Sequence, residues 1–374
     1  INDLHKTSLS NVMIKCDRCG GDMHRVDDTV DVWLDSGSAS FASLSYPEST
    51  AEFEKWFPAD FISEGNDQIR GWFYSLLTIG YIMTGKLSYR NVLMHKFVVG
   101  ANRMKLSKSE GNYKPVMELL KEGYTRDSLR LSLLKGNLSS EITFSEKELE
   151  VSMRFLNIMF NLISLLKSFE TSKLSTSEAK HIEDTWIMSR WGNTKKRIAE
   201  SLEGYRTDIA INSLVNFVQE DLSRTYIKLL KPRVFDEKDL EGYKTFEHIF
   251  KELAVTSSIF LPYIGELMHE VVSKKGSALL EAFPTVDEKD LNEIVEKTMD
   301  NSLNLIQDVL SLRETAKMNL RRPIKKLYVI GLEKGEIFED IIKRMANIMS
   351  IDYSLDEKDY EFKLNFNPKS TEFT

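Results

Sequence analysis

Over residues 1–145 the chain alternates short apolar runs with helically spaced segments. Val92-Leu93-Met94 and Phe97-Val98-Val99 are two such runs, and residues 71–83 carry helical spacing just before them. Buried strands of a parallel sheet have this signature, so the region is predicted to be mixed α/β. From about residue 146 the pattern changes. Within 151–170 the polar positions Arg154, Asn157, Asn161, Ser164 and Ser168 recur every three or four residues in otherwise largely apolar sequence, which predicts a largely buried helix. Ile211, Leu214, Val215, Val218 and Leu222 form a second apolar stripe, and Ile294, Val295, Met299, Leu303, Ile306 and Leu310 a third. Such faces predict a bundle of antiparallel helices over 179–330, reached through connecting helices at 146–178. Pro262 falls in the apolar stretch 259–268, where it must start or kink a helix. Beyond Lys326, residues 327–330 have strand propensity, 337–349 are helically patterned and 360–366 alternate like an edge strand. A small, partial α/β unit is therefore expected at 331–374. The fold class is α/β followed by all-α.

Composition supports the helical emphasis, since Gly and Pro number only 18 and 8 in 374 residues. No run approaches the ~18 apolar residues of a membrane span, and no basic-then-apolar leader follows Ile1. The chain is thus expected to be cytosolic, and either processed or a piece of something longer. Its two cysteines, Cys16 and Cys19, are spaced Cys-x-x-Cys, which outside a secreted context argues against a disulfide framework. A net charge of -7 speaks against a nucleic-acid partner. Local patches alter that picture. Between residues 313 and 326, Arg313, Lys317, Arg321, Arg322, Lys325 and Lys326 face only Glu314; Lys195, Lys196 and Arg197 form a second cluster, and Lys228, Lys231 and Arg233 a third. Such patches on a helical bundle could follow an RNA backbone, although a charge run is ordinarily a solvated face.

The strongest chemical signal is Lys105-Leu106-Ser107-Lys108-Ser109, followed by Glu110, Gly111 and Asn112. Two ammonium groups and two hydroxyls in five residues, after an apolar strand, suit a polyphosphate and can stabilise charge on a leaving pyrophosphate. The spacing is not that of a P-loop. About forty residues upstream, the stretch 61–73 places Glu64 and Gly65 at the end of an apolar strand, with a helix expected to start near Asp67. Open α/β sheets bind ligands at that end. Glu64 could accept from a substrate ammonium and the helix-start amides could face an anion, while simple helix capping is the plainer role for Glu64 and Asp67.

These residues carry a resemblance. The pentamer resembles the Lys-Met-Ser-Lys-Ser signature of the class I aminoacyl-tRNA synthetases, with Leu106 in place of Met. Glu64-Gly65-Asn66-Asp67-Gln68-Ile69-Arg70-Gly71-Trp72-Phe73 and Asp31-Val32-Trp33-Leu34-Asp35-Ser36-Gly37 resemble two blocks of the isoleucine-specific members, Leu34 replacing their usual aromatic. Asp184-Thr185-Trp186-Ile187-Met188-Ser189-Arg190, the segment from Glu220 to Ile227 and that from Arg313 to Ile324 are similar to parts of the family's anticodon-binding bundle.

The resemblance implies the C-terminal half of a Rossmann-like catalytic domain at 1–145, stem-contact helices at 146–178 and an anticodon-binding domain at 179–330. It implies that Glu64, Gly65, Asp67 and Gln68 touch the aminoacyl-adenylate and that Trp33 and Trp72 line the isoleucine pocket. Lys108, with Lys105 second, would contact phosphate, and Leu106, Ser107 and Ser109 would complete the ATP loop. Arg313, Lys317, Arg321 and Arg322 would bind tRNA. ATP, Mg2+ and isoleucine are the implied substrates and cofactor of a cytoplasmic monomer without a membrane partner. Cys16 and Cys19 look like half of a zinc knuckle, with His5 and His24 as nearby candidate ligands for Zn2+. None of the six histidines has the family's His-x-Gly-His spacing and nothing corresponds to an editing domain, so a C-terminal fragment, inactive alone, is expected. Two alternatives stay open: a valine-specific relative, and a non-catalytic tRNA-binding module.

Overall fold

A computed structural model describes residues 5–26, 28, 31–100, 103–104, 106, 114–176, 181–273 and 275–354. The chain divides into two compact units, Ile1–Lys96 and Phe97–Thr374.

In the first unit, helix α1 (Lys6–Leu9) precedes an antiparallel hairpin of β1 (Met13–Lys15) and β2 (Asp22–His24), with Met13 opposite His24. Helices α2 (Val32–Gly37), α3 (Ala39–Ala42) and α4 (Thr50–Trp56) lead to strand β3 (Ala59–Gly65). A 3-10 turn (Asn66–Arg70), helix α5 (Trp72–Thr84) and strand β4 (Tyr89–His95) follow. Strands β3 and β4 pair in parallel, Glu64 opposite Met94 and Gly65 opposite His95, so β3–α5–β4 is a βαβ unit. Ile62, Phe73 and Leu76 form its core. Helix α2 packs closely on α5 because Gly37 has no side chain: a Cβ there would lie 2.8 Å from the Ser75 carbonyl oxygen. The strands are less buried than the apolar runs suggest, with Phe61, Val92 and Met94 all exposed.

The second unit opens with β5 (Val98–Val99) and β6 (Ile142–Thr143), a parallel pair separated by α6 (Val116–Lys121) and α7 (Arg126–Leu134). The N-terminus of α7 is fixed by a capping box between Thr125 and Ser128. Then come α8 (Glu146–Ser168), α9 (Ile182–Glu203), α10 (Thr207–Asn216), a π-helical stretch (Phe217–Tyr226), α11 (Ile227–Phe235), α12 (Leu240–Phe260), α13 (Pro262–Val272) and α14 (Glu293–Thr315). Trp186, Trp191, Phe217, Phe246 and Phe250 are buried at the centre, the Trp191 and Phe217 rings 4.7 Å apart. Pro262 starts α13 rather than kinking it. Helix α8 is long and apolar enough to cross a membrane by length and composition alone, against the sequence expectation. Its Leu149, Phe155, Leu156 and Met159 are buried in protein instead.

The chain ends, among described residues, in a second βαβ unit of β7 (Ile324–Ile330), α15 (Glu339–Ala346) and β8 (Ile348–Ser354), the strands parallel with Ile324 opposite Ile348. The helix expected over 337–349 is shorter than predicted because Asn347 takes a left-handed conformation, φ 52°, and turns the chain into β8. Val329, Ile341, Ile342 and Ile351 join the same core as Trp186 and Phe250, so this unit is continuous with the bundle. The expected edge strand at 360–366 lies outside the described residues. By compactness the chain divides at 96/97, because α7 packs on α8 and on the bundle helices α10, α12 and α13.

Candidate active site

The C-terminal end of β3 and the turn after it carry Glu64, Gly65, Asp67, Gln68 and Trp72, five of the six residues expected to touch the adenylate or line the isoleucine pocket. Glu64 is exposed and Gly65 buried at the strand's last two positions. The element expected near Asp67 is a 3-10 turn, and α-helix begins only at Trp72. Neither Glu64 nor Asp67 caps it. Gln68 does: its Oε1 accepts from the Trp72 backbone N–H at 3.0 Å while its Nε2 donates to Asp67 Oδ2 at 3.0 Å. The helix-start amide is therefore occupied by the protein's own side chain. Trp72 is half-buried and its indole N–H donates to the Ser36 carbonyl at 3.0 Å, tying α5 to α2. Trp33 sits at the start of α2, where Asp31 Oδ1 accepts from its backbone N–H at 2.9 Å, and the residue remains 43% exposed.

Gly71, which sequence reasoning left without a role, holds this cluster together. A Cβ there would lie 2.6 Å from Gln68 Oε1 and 3.1 Å from Trp33 Cη2, so the glycine lets an amide and an indole approach the same backbone. Its place beside Trp72 was the available signal. Asn66 adds a buried side-chain oxygen without a hydrogen-bond partner. The arrangement offers a carboxylate, an amide and an exposed indole edge around one strand end.

The expected ATP loop is described only at Leu106, which is half-buried; Lys105, Ser107, Lys108 and Ser109 lie outside the described residues. Lys114 follows the loop, its Nζ 2.9 Å from Glu122 Oε2 and 2.6 Å from Glu146 Oε1. These hydrogen bonds hold its ammonium pKa above the usual value, Glu146 contributing most.

Cys16 and Cys19 lie at the tip of the β1–β2 hairpin. The turn is closed by Cys16 N–H to Gly21 O at 2.9 Å and Gly20 N–H to Cys16 O at 2.8 Å, with Gly20 at φ +70°. Backbone amides of Arg18 and Cys19, then the Cys19 thiol, lower the Cys16 pKa, which favours the metal-binding thiolate. A tetrahedral zinc site needs further ligands. Among the described residues no group of three His, Cys, Asp or Glu side chains assembles, so His5 and His24 do not complete a site with the two cysteines.

Each cationic patch needs correction. Arg313 is 3% exposed, and donates to the carbonyls of Arg322 and Ala346 at 2.8 Å, Asn347 at 3.0 Å and Asn319 at 3.3 Å. It therefore anchors the basic loop from inside rather than meeting tRNA. Burial lowers its pKa. Lys326 pairs with Asp352 at 2.7 Å. Lys317, Arg321 and Lys325 remain exposed. In the second cluster Lys195 is 5% exposed and bonded to Glu252 at 2.8 Å and the Thr285 carbonyl at 2.7 Å. In the third, Arg233 is 1% exposed within a carboxylate network. Replacing Arg313 with Leu is expected to cost about 2–3 kcal/mol, since several buried carbonyls lose their donor. Hydrogen exchange should then accelerate in β7 and β8; unchanged protection would refute the anchoring role.

A parallel βαβ unit with Glu64 and Gly65 at its strand end, joined in sequence to a helical bundle, points to the class. The family model for "tRNA synthetases class I (I, L, M and V)" matches residues 2–145, and that for "Anticodon-binding domain of tRNA ligase" matches 184–329. The chain belongs to the class I tRNA synthetase family. Two of its curated relatives are isoleucine–tRNA ligases. That of Saccharolobus solfataricus is 34% identical over 376 residues, 94% of this chain and 38% of the relative. That of Methanosarcina barkeri is 33% identical over 369 residues, 93% of this chain and 34% of the relative. The chain thus spans little more than a third of the relatives it matches. Among solved structures, the ternary complex of Agrobacterium radiobacter K84 LeuRS with tRNA and LeuAMS superposes with a TM-score of 0.58 at 19% identity, covering 75% of this chain and 36% of that one. At that identity the likeness establishes the fold.

Proposed function

We propose that the complete protein carrying this chain activates isoleucine with ATP and transfers it to the 3′-terminal ribose of an isoleucine-accepting tRNA. The gathering of Gln68, Trp33 and Trp72 around Gly71, just past the end of β3 where Glu64 lies exposed, is the observation that carries this reading. The isoleucine carboxylate attacks the α-phosphorus of ATP and displaces pyrophosphate; the ribose hydroxyl then attacks the acyl carbon and releases AMP. Glu64 accepts from the substrate ammonium, and the indoles of Trp33 and Trp72 present apolar wall to a branched aliphatic side chain. Asp67 and Gln68 bond the adenylate, Gly65 leaves room for it, and Lys108, with Lys105, stabilises phosphate charge. Mg2+ neutralises the triphosphate when bound. Lys317, Arg321 and Arg322 contact tRNA phosphates. The reaction rests on positioning and electrostatics.

Amino-acid-dependent ATP–pyrophosphate exchange by the complete protein tests the reading. Isoleucine should exceed valine by about 10–200-fold in kcat/KM, the discrimination one methylene allows, as the handling of these same two amino acids by such enzymes illustrates. Equal rates, or faster exchange with valine, would assign the chain to the valine-specific alternative. Salt-dependent tRNA binding without any exchange would favour the non-catalytic alternative.

A further inference from the structure

Helix α7 lies between the signature pentamer and the bundle in sequence, and three of its charged residues converge on one corner of that bundle. The corner is the turn from α12 into α13, where Leu261 leaves the helix at φ -128°, ψ 73° and Pro262 opens the next one. No side chain of its own caps α13. Asp127, 2% exposed, supplies the cap from 137 residues away: its Oδ2 accepts from the Ile264 backbone N–H at 2.7 Å and its Oδ1 from that of Tyr263 at 3.5 Å. Arg130 Nε donates to the Phe260 carbonyl at 2.8 Å, taking the end of α12 as Asp127 takes the start of α13. The Arg126 guanidinium lies 5.7 Å from the centre of the Tyr263 ring. The corner itself is tight, because a Cβ at Gly265 would come within 2.6 Å of the Ser258 backbone.

Two helix termini of opposite polarity, gripped by an anion and a cation on adjacent turns of a third helix, define an angle as well as a contact. We propose that Asp127 and Arg130 are positioning residues for tRNA charging, setting the angle between the arm that follows the signature pentamer and the anticodon-type bundle. The proposal rests on the synthetase reading above. Leverage explains why the angle matters. Helix α12 has 21 residues, about 31 Å of helix, so a tilt of about 10° at the corner moves its far end by about 5 Å. Activation of the amino acid needs no bundle-bound tRNA, whereas charging requires tRNA held by the bundle to bring its terminal ribose to the adenylate.

The test compares two reactions of the complete protein with Asp127→Ala and Arg130→Met. Isoleucine-dependent pyrophosphate exchange should stay within twofold of the unsubstituted protein, while kcat for tRNA charging falls about 10–100-fold with a smaller change in KM for tRNA. Asp127→Asn retains one carbonyl-type acceptor and should recover most of the charging rate. Equal loss of both reactions in Arg130→Met, whose side chain is exposed, would mean damage to the fold rather than to an angle and would overturn the proposal. So would undiminished charging in Asp127→Ala, or an Asp127→Asn variant as poor as the alanine one. Absence of exchange in the unsubstituted protein would instead count against the proposed function.

Discussion

Replacing Lys108 with alanine in the complete protein should lower isoleucine-dependent ATP–pyrophosphate exchange by about 10²–10³-fold. That is the range for removing one preorganised group facing charge that develops in the transition state. The leaving pyrophosphate gains negative charge as the bond to the α-phosphorus breaks, and an ammonium facing it would stabilise that charge. Because the contact strengthens along the reaction, most of the loss should appear in kcat rather than in KM for ATP. Lys105→Ala should cost less, since Lys108 is the primary phosphate contact in this reading. Lys108→Arg keeps the charge but changes its shape, so it should restore only part of the rate. Undiminished exchange in Lys108→Ala would remove that residue from the mechanism.

The largest expected effect on stability comes from Arg233→Met, about 3–5 kcal/mol at neutral pH. Arg233 donates from Nη1 and Nη2 to Asp184 at 2.9 and 2.6 Å, and from Nη2 and Nε to Asp239 at 2.6 and 3.0 Å. Glu183 lies 3.4 Å away and also pairs with Arg344 at 2.9 Å, while the Tyr226 hydroxyl donates to Asp184 at 2.7 Å. Burial opposes the charge on Arg233, but Asp184 and Asp239 outweigh it and hold the guanidinium pKa above its usual value. Burial likewise pushes Asp239 up, and Arg233 more than reverses this, so its pKa is lowered. A carboxylate with a lowered folded pKa stabilises above its unfolded pKa and loses that contribution as pH falls. In Arg233→Met the sign inverts, because Asp239 would be buried without its guanidinium and would favour the protonated form. The deficit relative to the unsubstituted protein should therefore shrink between pH 7.5 and 5. Urea unfolding followed by tryptophan emission checks this, with Trp186 and Trp191 both inside the bundle core. A loss below about 1 kcal/mol would show that Arg344, already paired with Glu183, can replace Arg233.

Much of the candidate site was legible because it is local. Glu64, Gly65, Asp67, Gln68 and Trp72 lie within nine consecutive residues, so one strand end and one turn bring them together. Gly71 was not legible as a site residue, since its importance lies in the approach of Trp33, 38 positions away. The three buried cations had a readable signal that charge alone obscured. Lys195 shares a helix face with buried Trp191 and Ile198, Arg233 with Tyr226, Leu229 and Leu230, and Arg313 with Ile306 and Val309. Cations in step with apolar stripes point inward.

By itself the sequence determined that an α/β region precedes a helical bundle, that Pro262 must start or kink a helix and which family the motifs match, because periodicity and short motifs act over a turn or two of chain. Only the tertiary structure decided which cations are buried, that Gln68 caps α5, and that Asp127 and Arg130 hold a corner of the bundle. Those outcomes depend on partners far away in sequence: Asp184 is 49 residues from Arg233, Glu252 is 57 from Lys195 and Ile264 is 137 from Asp127. An ionic side chain becomes stable inside protein only when such a partner arrives to replace its water.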